Sequence, residues 1–178
     1  MADLLFIRKG KIMEKIVIIG CGGAGKSTLA RTLGDKLDLP VVHLDKLFWR
    51  PGWVHVSREE FDALHLQALA GEKWILDGNF DRTMEQRIAH CDTVIYLDFS
   101  RWACLRGVCK RVLTTHGTVR PDMGEGCPER FDWEFLKWVW HFNSKNRAKN
   151  YRLIRKAAHA NAIILKNRRQ VRKFLENL

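Results

Sequence analysis

The 178-residue sequence predicts a single α/β domain, a three-layer fold with a five-stranded parallel sheet and helices on both faces. Three observations lead to this prediction. Short apolar segments alternate with segments of helical periodicity along the chain. A glycine-rich turn joins the first apolar segment to the first helical one. The length suits one domain with a substantial core, and no apolar run is long enough to cross a bilayer, so we expect no membrane partner.

The expected strands are short and rich in aliphatic residues. They are predicted at residues 15–20, 41–44, 73–76, 93–97 and 162–165. Runs that are apolar at successive positions are typical of parallel strands, which are covered on both faces. In open parallel sheets the ligand binds beyond the carboxyl ends of the strands.

Helical periodicity predicts the elements between these strands, and capping residues mark several helix starts. The predicted helices cover residues 26–37, 57–70, 81–89, 100–113, 132–158 and 171–175. Ser57 and Glu60 form an S-x-x-E capping box, and Ser100 caps the fourth helix. Residues 48–54, which hold two tryptophans, a proline and a glycine, are expected to form a loop.

Two segments fall outside this alternation. Residues 1–12 precede a second methionine, Met13, and are predicted to be either an N-terminal extension or an edge strand. The predicted domain would then cover residues 13–178. Residues 114–131 are rich in Gly and Pro, which predicts a mobile excursion that acts as a small lid.

Cysteine usage and charge give broader expectations. The five cysteines form no C-x-x-C pair, which favours reduced thiols and a cytoplasmic protein. Residues 1–100 hold 13 Lys and Arg against 14 Asp and Glu, whereas residues 101–178 hold 18 against 6. The basic half is therefore either a solvated surface or a surface that meets phosphates or nucleic acid.

The most specific motif lies between the first strand and the first helix. The eight residues from Gly20 to Ser27 match G-x-x-x-x-G-K-[ST], the P-loop pattern, and a strand precedes them while a helix follows. In such a loop backbone N–H groups and the helix dipole surround a phosphate, the lysine reaches the β- and γ-phosphates, and the serine ligates Mg²⁺. The expected ATP-binding residues are Gly20, Gly22, Gly23, Ala24, Gly25, Lys26, Ser27 and Thr28.

Magnesium in such sites usually has a carboxylate at a strand end as well. Two residues satisfy this condition. Asp77 ends the third strand, and Gly78 after it leaves room for a ligand. Asp98 ends the fourth strand and can instead cap the next helix with Ser100. We favour Asp77 as the metal residue, together with Ser27.

If the loop binds ATP, the molecule that receives a phosphoryl group, the acceptor, is expected to bind at the end of the second strand. Asp45 there can take the proton of an attacking hydroxyl, or can cap a helix. Arg50 and Arg82 are candidates to grip an anionic acceptor. Trp53, with Trp49, either stacks on an acceptor ring or packs the loop, and packing is the favoured alternative.

Basic residues lead into and occupy the lid. Arg106, Lys110 and Arg111 lie on the helix before it, and Arg120 lies on the lid itself. Lid closure would bring positive charge to the transferring phosphoryl group and exclude water. We therefore expect Arg106, Arg111 and Arg120 to be catalytic with Lys26 and Asp45, unless they form an ordinary basic surface.

Several stretches resemble known families. Residues 77–83, Asp-Gly-Asn-Phe-Asp-Arg-Thr, resemble the Asp-Gly-Phe-Pro-Arg-Thr signature of adenylate kinases, with one residue inserted and no proline. Longer matches to a second family occur at residues 43–49, 51–53, 77–79, 120–123 and 126–129. On these stretches the chain from Met13 onward resembles bacterial DNA topology modulation (FlaR-related) proteins.

The resemblance implies an adenylate-kinase-like fold whose five strands lie in the order second, third, first, fourth and fifth. Small-molecule kinases such as shikimate kinase have Asp-x-Asp where this chain has His43-Leu44-Asp45, which is a departure from that pattern. The family name suggests a DNA role, whereas the motifs are those of a kinase.

Two functional hypotheses follow from the sequence. The first is transfer of the γ-phosphoryl group of MgATP to a small acceptor, either a nucleotide, a nucleoside or another hydroxyl compound, by a monomer or dimer. The second is an ATP-dependent nucleic-acid-binding protein that affects DNA topology through its basic half. No base-reading motif accompanies the basic residues, so nucleic acid is the less favoured partner.

Overall fold

A computed structural model describes residues 13–178, and the predicted extension 1–12 lies outside the described residues. The strands are β1 (Lys15–Gly20), β2 (Val41–His43), β3 (Trp49–Arg50), β4 (Val54–His55), β5 (Trp74–Asp77), β6 (Thr93–Leu97) and β7 (Asn161–Leu165). The helices are α1 (Lys26–Leu37), α2 (Leu44–Phe48), α3 (Arg58–Leu69), α4 (Asp81–His90), α5 (Arg101–Thr115), α6 (Trp133–Lys156) and α7 (Arg168–Glu176).

Five strands form one parallel sheet in the order β2-β5-β1-β6-β7. In this sheet Val17 of β1 lies opposite Leu76 of β5 on one side and Val94 of β6 on the other. The fold class is therefore confirmed, and the order is the one that the resemblance implied. The carboxyl ends of β2, β5, β1 and β6 meet at one edge, where His43, Asp77, Gly20 and Leu97 end their strands.

The core is divided by the sheet, as alternate residues of β1 show. Ile16 and Ile18 belong to a cluster that includes buried residues of α1, α5 and α7, whereas Val17 and Ile19 belong to one that includes residues of α3 and α4. All four side chains are fully buried. Burying an aliphatic side chain contributes about 1.5–3 kcal/mol, so β1 anchors both layers and holds the glycine turn after it in place.

The structure differs from the sequence prediction around residue 44. The second strand ends at His43, because the Leu44 side chain is buried against Gly78 and its backbone starts α2. The predicted loop at residues 48–54 is a β3–β4 hairpin whose tip is a 3-10 turn, Pro51–Trp53. The last helix begins at Arg168, since the Asn167 side chain caps it by accepting from the backbone N of Gln170 at 2.9 Å.

Residues 116–132 connect α5 to α6 and pack against the β3–β4 hairpin. The Cys127 thiol donates to the Arg50 carbonyl at 3.1 Å, and the Gly52 N–H donates to the Gly126 carbonyl at 3.0 Å. Gly124 lies so close to the Trp49 carbonyl that an added Cβ would approach it to 2.2 Å. The segment predicted to form a lid thus packs against the β3–β4 hairpin, which holds residues predicted to bind the acceptor. Among residues 13–178, none of the helices combines the length and apolar character needed to cross a membrane.

Candidate active site

The glycine-rich turn is fixed by close packing on one side and is open on the other. A Cβ on Gly23 would lie 2.3 Å from the Cys104 carbonyl of α5, and one on Gly20 would lie 2.7 Å from the Leu97 carbonyl. Gly25 has a φ of +95°, a conformation that favours glycine, and its Cβ direction meets nothing within 4 Å. Glycine is therefore required where the turn packs against β6 and α5, and the Gly25 position, which leads into the first turn of α1, is open.

The residues after Gly25 begin α1 at this space. The Lys26 Nζ lies 3.3 Å from the Cys21 carbonyl, so its side chain folds back over the loop. Ser27 is partly buried, whereas Thr28 is exposed. The helix has no side-chain N-cap, so its first N–H groups are available to an anion.

A side chain that the sequence analysis left without a role ties β5 to the loop. The Asn79 amide accepts from the Gly20 N–H at 3.2 Å and donates to the Gly20 carbonyl at 2.9 Å. The backbone around Asn79 is itself held by Arg87, a fully buried cation that donates to the Gly78 carbonyl at 2.7 Å and also to the Asn79 and Phe80 carbonyls. Arg87 lies in no recognised motif, so only its burial in the fold reveals this role.

Asp45 lies in the first turn of α2 and is partly buried. Burial raises the pKa of its carboxyl to about 6, and the negative charge of Asp77 acts in the same direction. Lys26 and Arg120 oppose this shift, while Asp122 of the lid adds to it. Lys26, Asp77, Arg120 and Asp122 are thus the charged groups that act on the pKa of Asp45.

The two candidate metal carboxylates have different surroundings. The Asp77 Oδ2 lies 3.0 Å from the His43 Nδ1, and its buried Oδ1 has no hydrogen-bond partner among residues 13–178. The Asp98 Oδ2 accepts from Arg147 at 2.7 Å and from Tyr151 at 2.9 Å, although its Oδ1 also has no partner in that part of the chain. Asp77 influences the pKa of Asp45, whereas Asp98 is not among the groups that shift it most.

The residues present fit a Mg²⁺ ion that is shared with phosphates. Among residues 13–178, no three His, Cys, Asp or Glu side chains gather into a group that could hold a metal ion. Mg²⁺ needs fewer protein ligands when phosphate oxygens and water complete its octahedron. The Ser27 hydroxyl and the unpartnered Asp77 Oδ1 are oxygen donors of the kind that such an ion prefers.

The predicted acceptor residues Arg50, Arg82 and Trp53 are engaged in contacts with their neighbours. Arg50 pairs with Glu60, and Arg82 pairs with Asp62 at 2.5 Å; all four side chains are about half exposed. The Trp53 ring lies 5.5 Å from that of Trp49, and the Arg130 guanidinium lies 5.0 Å above it. Trp53 thus packs within its own loop, which is the favoured alternative of the sequence analysis. Arg50 and Arg82 both pair with carboxylates of α3.

The three predicted lid cations differ in exposure and in ion pairing. Arg120 donates to Asp122 at 2.5 Å and to Glu129 at 2.8 Å, and Arg111 pairs with the same Glu129 at 3.0 Å. Arg106 is exposed and has no ion pair within the described range 13–178. The structure thus brings Arg111 and Arg120 together through buried lid carboxylates, which sequence reasoning did not assign.

Comparison with protein-family models gives no match, and no curated protein matches the sequence. Among solved structures, the shikimate kinase from Bacteroides thetaiotaomicron matches with a TM-score of 0.55 and 19% sequence identity. The match covers 93% of this chain and 96% of that one. The chain has a shikimate kinase-like fold. At this identity the likeness concerns the fold, so function is inferred below from the residues of this chain.

Proposed function

We propose that this protein is a MgATP-dependent kinase that transfers the γ-phosphoryl group of ATP to a hydroxyl group of a small molecule. The observation that carries the proposal is the Asp45 carboxyl, which lies within electrostatic reach of Lys26 and has a pKa raised to about 6. A general base works best when its pKa lies near the operating pH. A phosphate acceptor is already deprotonated and needs no base, whereas a hydroxyl has a proton to lose.

The residues divide into those that hold ATP and those that serve transfer. The P-loop backbone and Lys26 bind the phosphates, and Ser27 with Asp77 would hold Mg²⁺. When bound, Mg²⁺ neutralises charge on the phosphate oxygens. The acceptor oxygen forms a bond to the γ-phosphorus while the bond to the β–γ bridging oxygen breaks, and the acceptor proton passes to Asp45. Arg120 and Arg111 would stabilise the charge of the transition state once they leave their ion pairs with Asp122 and Glu129, and Arg106 has no such pair within residues 13–178.

The ion pairs of Arg50 and Arg82 bear on the acceptor class. Their carboxylate partners, Glu60 and Asp62, already balance their charges, which weakens the case for an anionic acceptor at these residues. A neutral hydroxyl compound, such as a nucleoside, is therefore favoured over a nucleoside monophosphate.

The test is a screen for acceptor-dependent ADP release with hydroxyl compounds and nucleoside monophosphates as separate sets. With an accepted substrate, Asp45→Asn should lower kcat by about 10²–10⁴-fold and leave ATP affinity nearly unchanged. The wild-type rate should fall as pH falls through about 6, where Asp45 becomes protonated, and the variant should lack this dependence. Asp35→Asn, an exposed carboxylate on α1, is the matched control. A wild-type rate in Asp45→Asn would refute the assignment.

A second candidate function is ATP-dependent nucleic-acid binding, and one observation favours it. Residues 135–175 contain twelve Lys and Arg and no acidic residue. Several of these cations line a cavity of about 590 Å³, whose lining is Ala148, Tyr151, Arg152, Arg155 and Lys156. Contacts to phosphates lose affinity steeply with salt, with a slope set by the number of phosphates neutralised.

Anisotropy titrations of labelled duplex DNA at low and physiological salt, with and without ATP, separate the two candidates. We expect weak binding at physiological salt that ATP does not change. A tight complex that ATP modulates would favour the nucleic-acid function over the kinase.

A further inference from the structure

A buried pair of side chains joins β2 to β5 at the carboxyl edge of the sheet. His43 lies opposite Asp77 in the parallel register, and its Nδ1 is 3.0 Å from the Asp77 Oδ2. The two side chains are 8% and 4% exposed. Because a carboxylate only accepts hydrogen bonds, the His43 Nδ1 carries a proton and is the donor. One oxygen of Asp77 is thus engaged, while its buried Oδ1 has no partner among residues 13–178.

The register places this pair on the face of the sheet that α1 covers. Ile75, two residues before Asp77, shares a core cluster with α1, and a Cβ on Gly34 of α1 would approach the Val41 Cγ2 to 2.5 Å. Alternate residues of a strand share a face, so His43 and Asp77 lie on this face one step nearer the carboxyl edge. That step of about 6.6 Å matches about four residues of α1, counted back from Gly34 towards the helix start. The pair therefore lies towards the first turn of α1, which follows the glycine-rich loop.

Backbone hydrogen bonds tie this end of β5 to the loop that is proposed to bind phosphate. The Gly78 N–H donates to the Ile18 carbonyl at 3.3 Å, and Asn79 bonds both backbone groups of Gly20. Asp77 directly precedes Gly78, so its backbone is fixed beside β1 and its side chain is fixed to β2. The oxygen that these contacts leave free is Oδ1.

Resting on the proposed function, we propose that His43 is a positioning residue, whose hydrogen bond fixes the Asp77 carboxylate so that Oδ1 stays available to the Mg²⁺ of bound MgATP, directly or through water. Mg²⁺ accepts little deviation from octahedral geometry, so a carboxylate with a fixed orientation suits it better than one that rotates. Loss of such a supporting hydrogen bond typically lowers metal affinity by about 10–100-fold.

Two substitutions of His43 separate the hydrogen bond from the bulk of the ring. In His43→Asn the side-chain amide places an N–H close to the position of Nδ1, so the bond to Asp77 is kept. In His43→Leu an apolar side chain fills the space without a donor. Tyr151→Phe is the matched control, because it removes a 2.9 Å hydrogen bond from the other strand-end carboxylate, Asp98.

The experiment measures ATP affinity by isothermal titration calorimetry in excess Mg²⁺ and in EDTA, and the ratio of the two affinities reports what the metal adds to binding. We expect His43→Leu to lower this ratio by about 10–100-fold, while the affinity for free ATP stays near the wild-type value. His43→Asn and Tyr151→Phe should keep the wild-type ratio. His43→Ala replaces the Leu variant if circular dichroism shows that the Leu variant does not fold.

A second measurement needs no nucleotide. Long-range proton–nitrogen NMR spectra of the wild-type protein show which ring nitrogens of each histidine carry a proton, and His43→Asn identifies the His43 signals by their loss. We expect a proton on the His43 Nδ1. A ring protonated on Nε2 alone could not donate to Asp77, and that result would overturn the inference.

The other calorimetric outcomes also decide the matter. An unchanged ratio in His43→Leu, or equal weakening with and without Mg²⁺, would leave His43 a structural role only and overturn the inference. So would a ratio in His43→Asn as low as in His43→Leu, or an equal loss in Tyr151→Phe. If the wild-type protein bound neither form of ATP, the proposed kinase function itself would fail.

Discussion

A buried histidine gives the stability of this protein a specific dependence on pH. His65 on α3 is fully buried, and neither of its ring nitrogens has a hydrogen-bond partner among residues 13–178. Its ring stacks on that of Phe61 at 6.3 Å. Burial, and next the positive charge of Arg87, lower the pKa of His65 from 6.5 to about 4. The folded protein therefore holds this side chain neutral at a pH where an unfolded chain would protonate it.

The sign and size of the effect follow from this shift. Because the folded pKa lies below the unfolded one, the contribution to stability is complete above about pH 6.5 and is lost as pH falls towards 4. At about 1.4 kcal/mol per pKa unit, roughly 3 kcal/mol is lost over the whole range and about 2 kcal/mol by pH 5. For a domain of this size, the loss of about 2 kcal/mol at pH 5 lowers Tm by about 4–8 °C.

The measurement is urea unfolding at pH 7.5 and pH 5.0, which gives a free energy of unfolding at each pH. His65→Leu should reduce the difference between the two values by about 2 kcal/mol relative to wild type. Leu69→Met, on the same helix and in the same core cluster, alters packing without removing a titratable group and should preserve the wild-type difference. If His65→Leu kept the full wild-type difference, His65 would not be the source of the acid sensitivity.

Three further predictions concern the site. Lys26→Ala should weaken ATP binding in calorimetry and abolish turnover without changing the circular dichroism spectrum, because this side chain is expected to meet phosphate; unchanged affinity would contradict the P-loop assignment. Asn79→Ala removes two hydrogen bonds to Gly20 and should weaken ATP binding by about 1–3 kcal/mol, and an unchanged affinity would mean that packing alone fixes the loop. Asp98→Asn should lower the unfolding free energy, because Arg147 and Tyr151 lose a charged partner, yet it should leave the Mg²⁺ dependence of ATP binding intact. If ATP binding by Asp98→Asn no longer depended on Mg²⁺, Asp98 rather than Asp77 would be the metal residue.

Much of the fold was predictable because local patterns and tertiary structure agree. The first strand and first helix have the predicted bounds, since the apolar run ends at a glycine turn and the helix ends where Asp38 adopts a left-handed conformation. The predicted N-cap at Ser57 was also confirmed, with the Glu60 N–H donating to the Ser57 hydroxyl at 3.0 Å, whereas the Glu60 carboxylate pairs with Arg50 instead of completing the capping box. In these places the residues that define the element are neighbours in sequence.

The features that were missed depend on contacts between distant residues. Asn79 and Gly20 are 59 positions apart, and Asp122 and Arg31 are 91 apart, so no local pattern relates them. The β3–β4 hairpin has only two residues in each strand, too few for a strand signal. Arg50 and Arg82 were predicted to bind an anionic acceptor from residue type alone, whereas their pairing with carboxylates of α3 depends on the fold.

The charges that act on Asp45 and Asp122 also favour a neutral acceptor. Three carboxylates, Asp45, Asp77 and Asp122, are opposed there by three cations, Lys26, Arg31 and Arg120. The group is thus nearly balanced before any ligand binds, and ATP adds negative charge that Mg²⁺ offsets only in part. A nucleoside monophosphate would bring two more negative charges beside Asp45, whereas a hydroxyl compound brings none. Since like charges in a partly buried site raise each other's pKa and weaken binding, this balance favours the proposed uncharged alcohol as acceptor, with Asp45 as the proposed base for its proton.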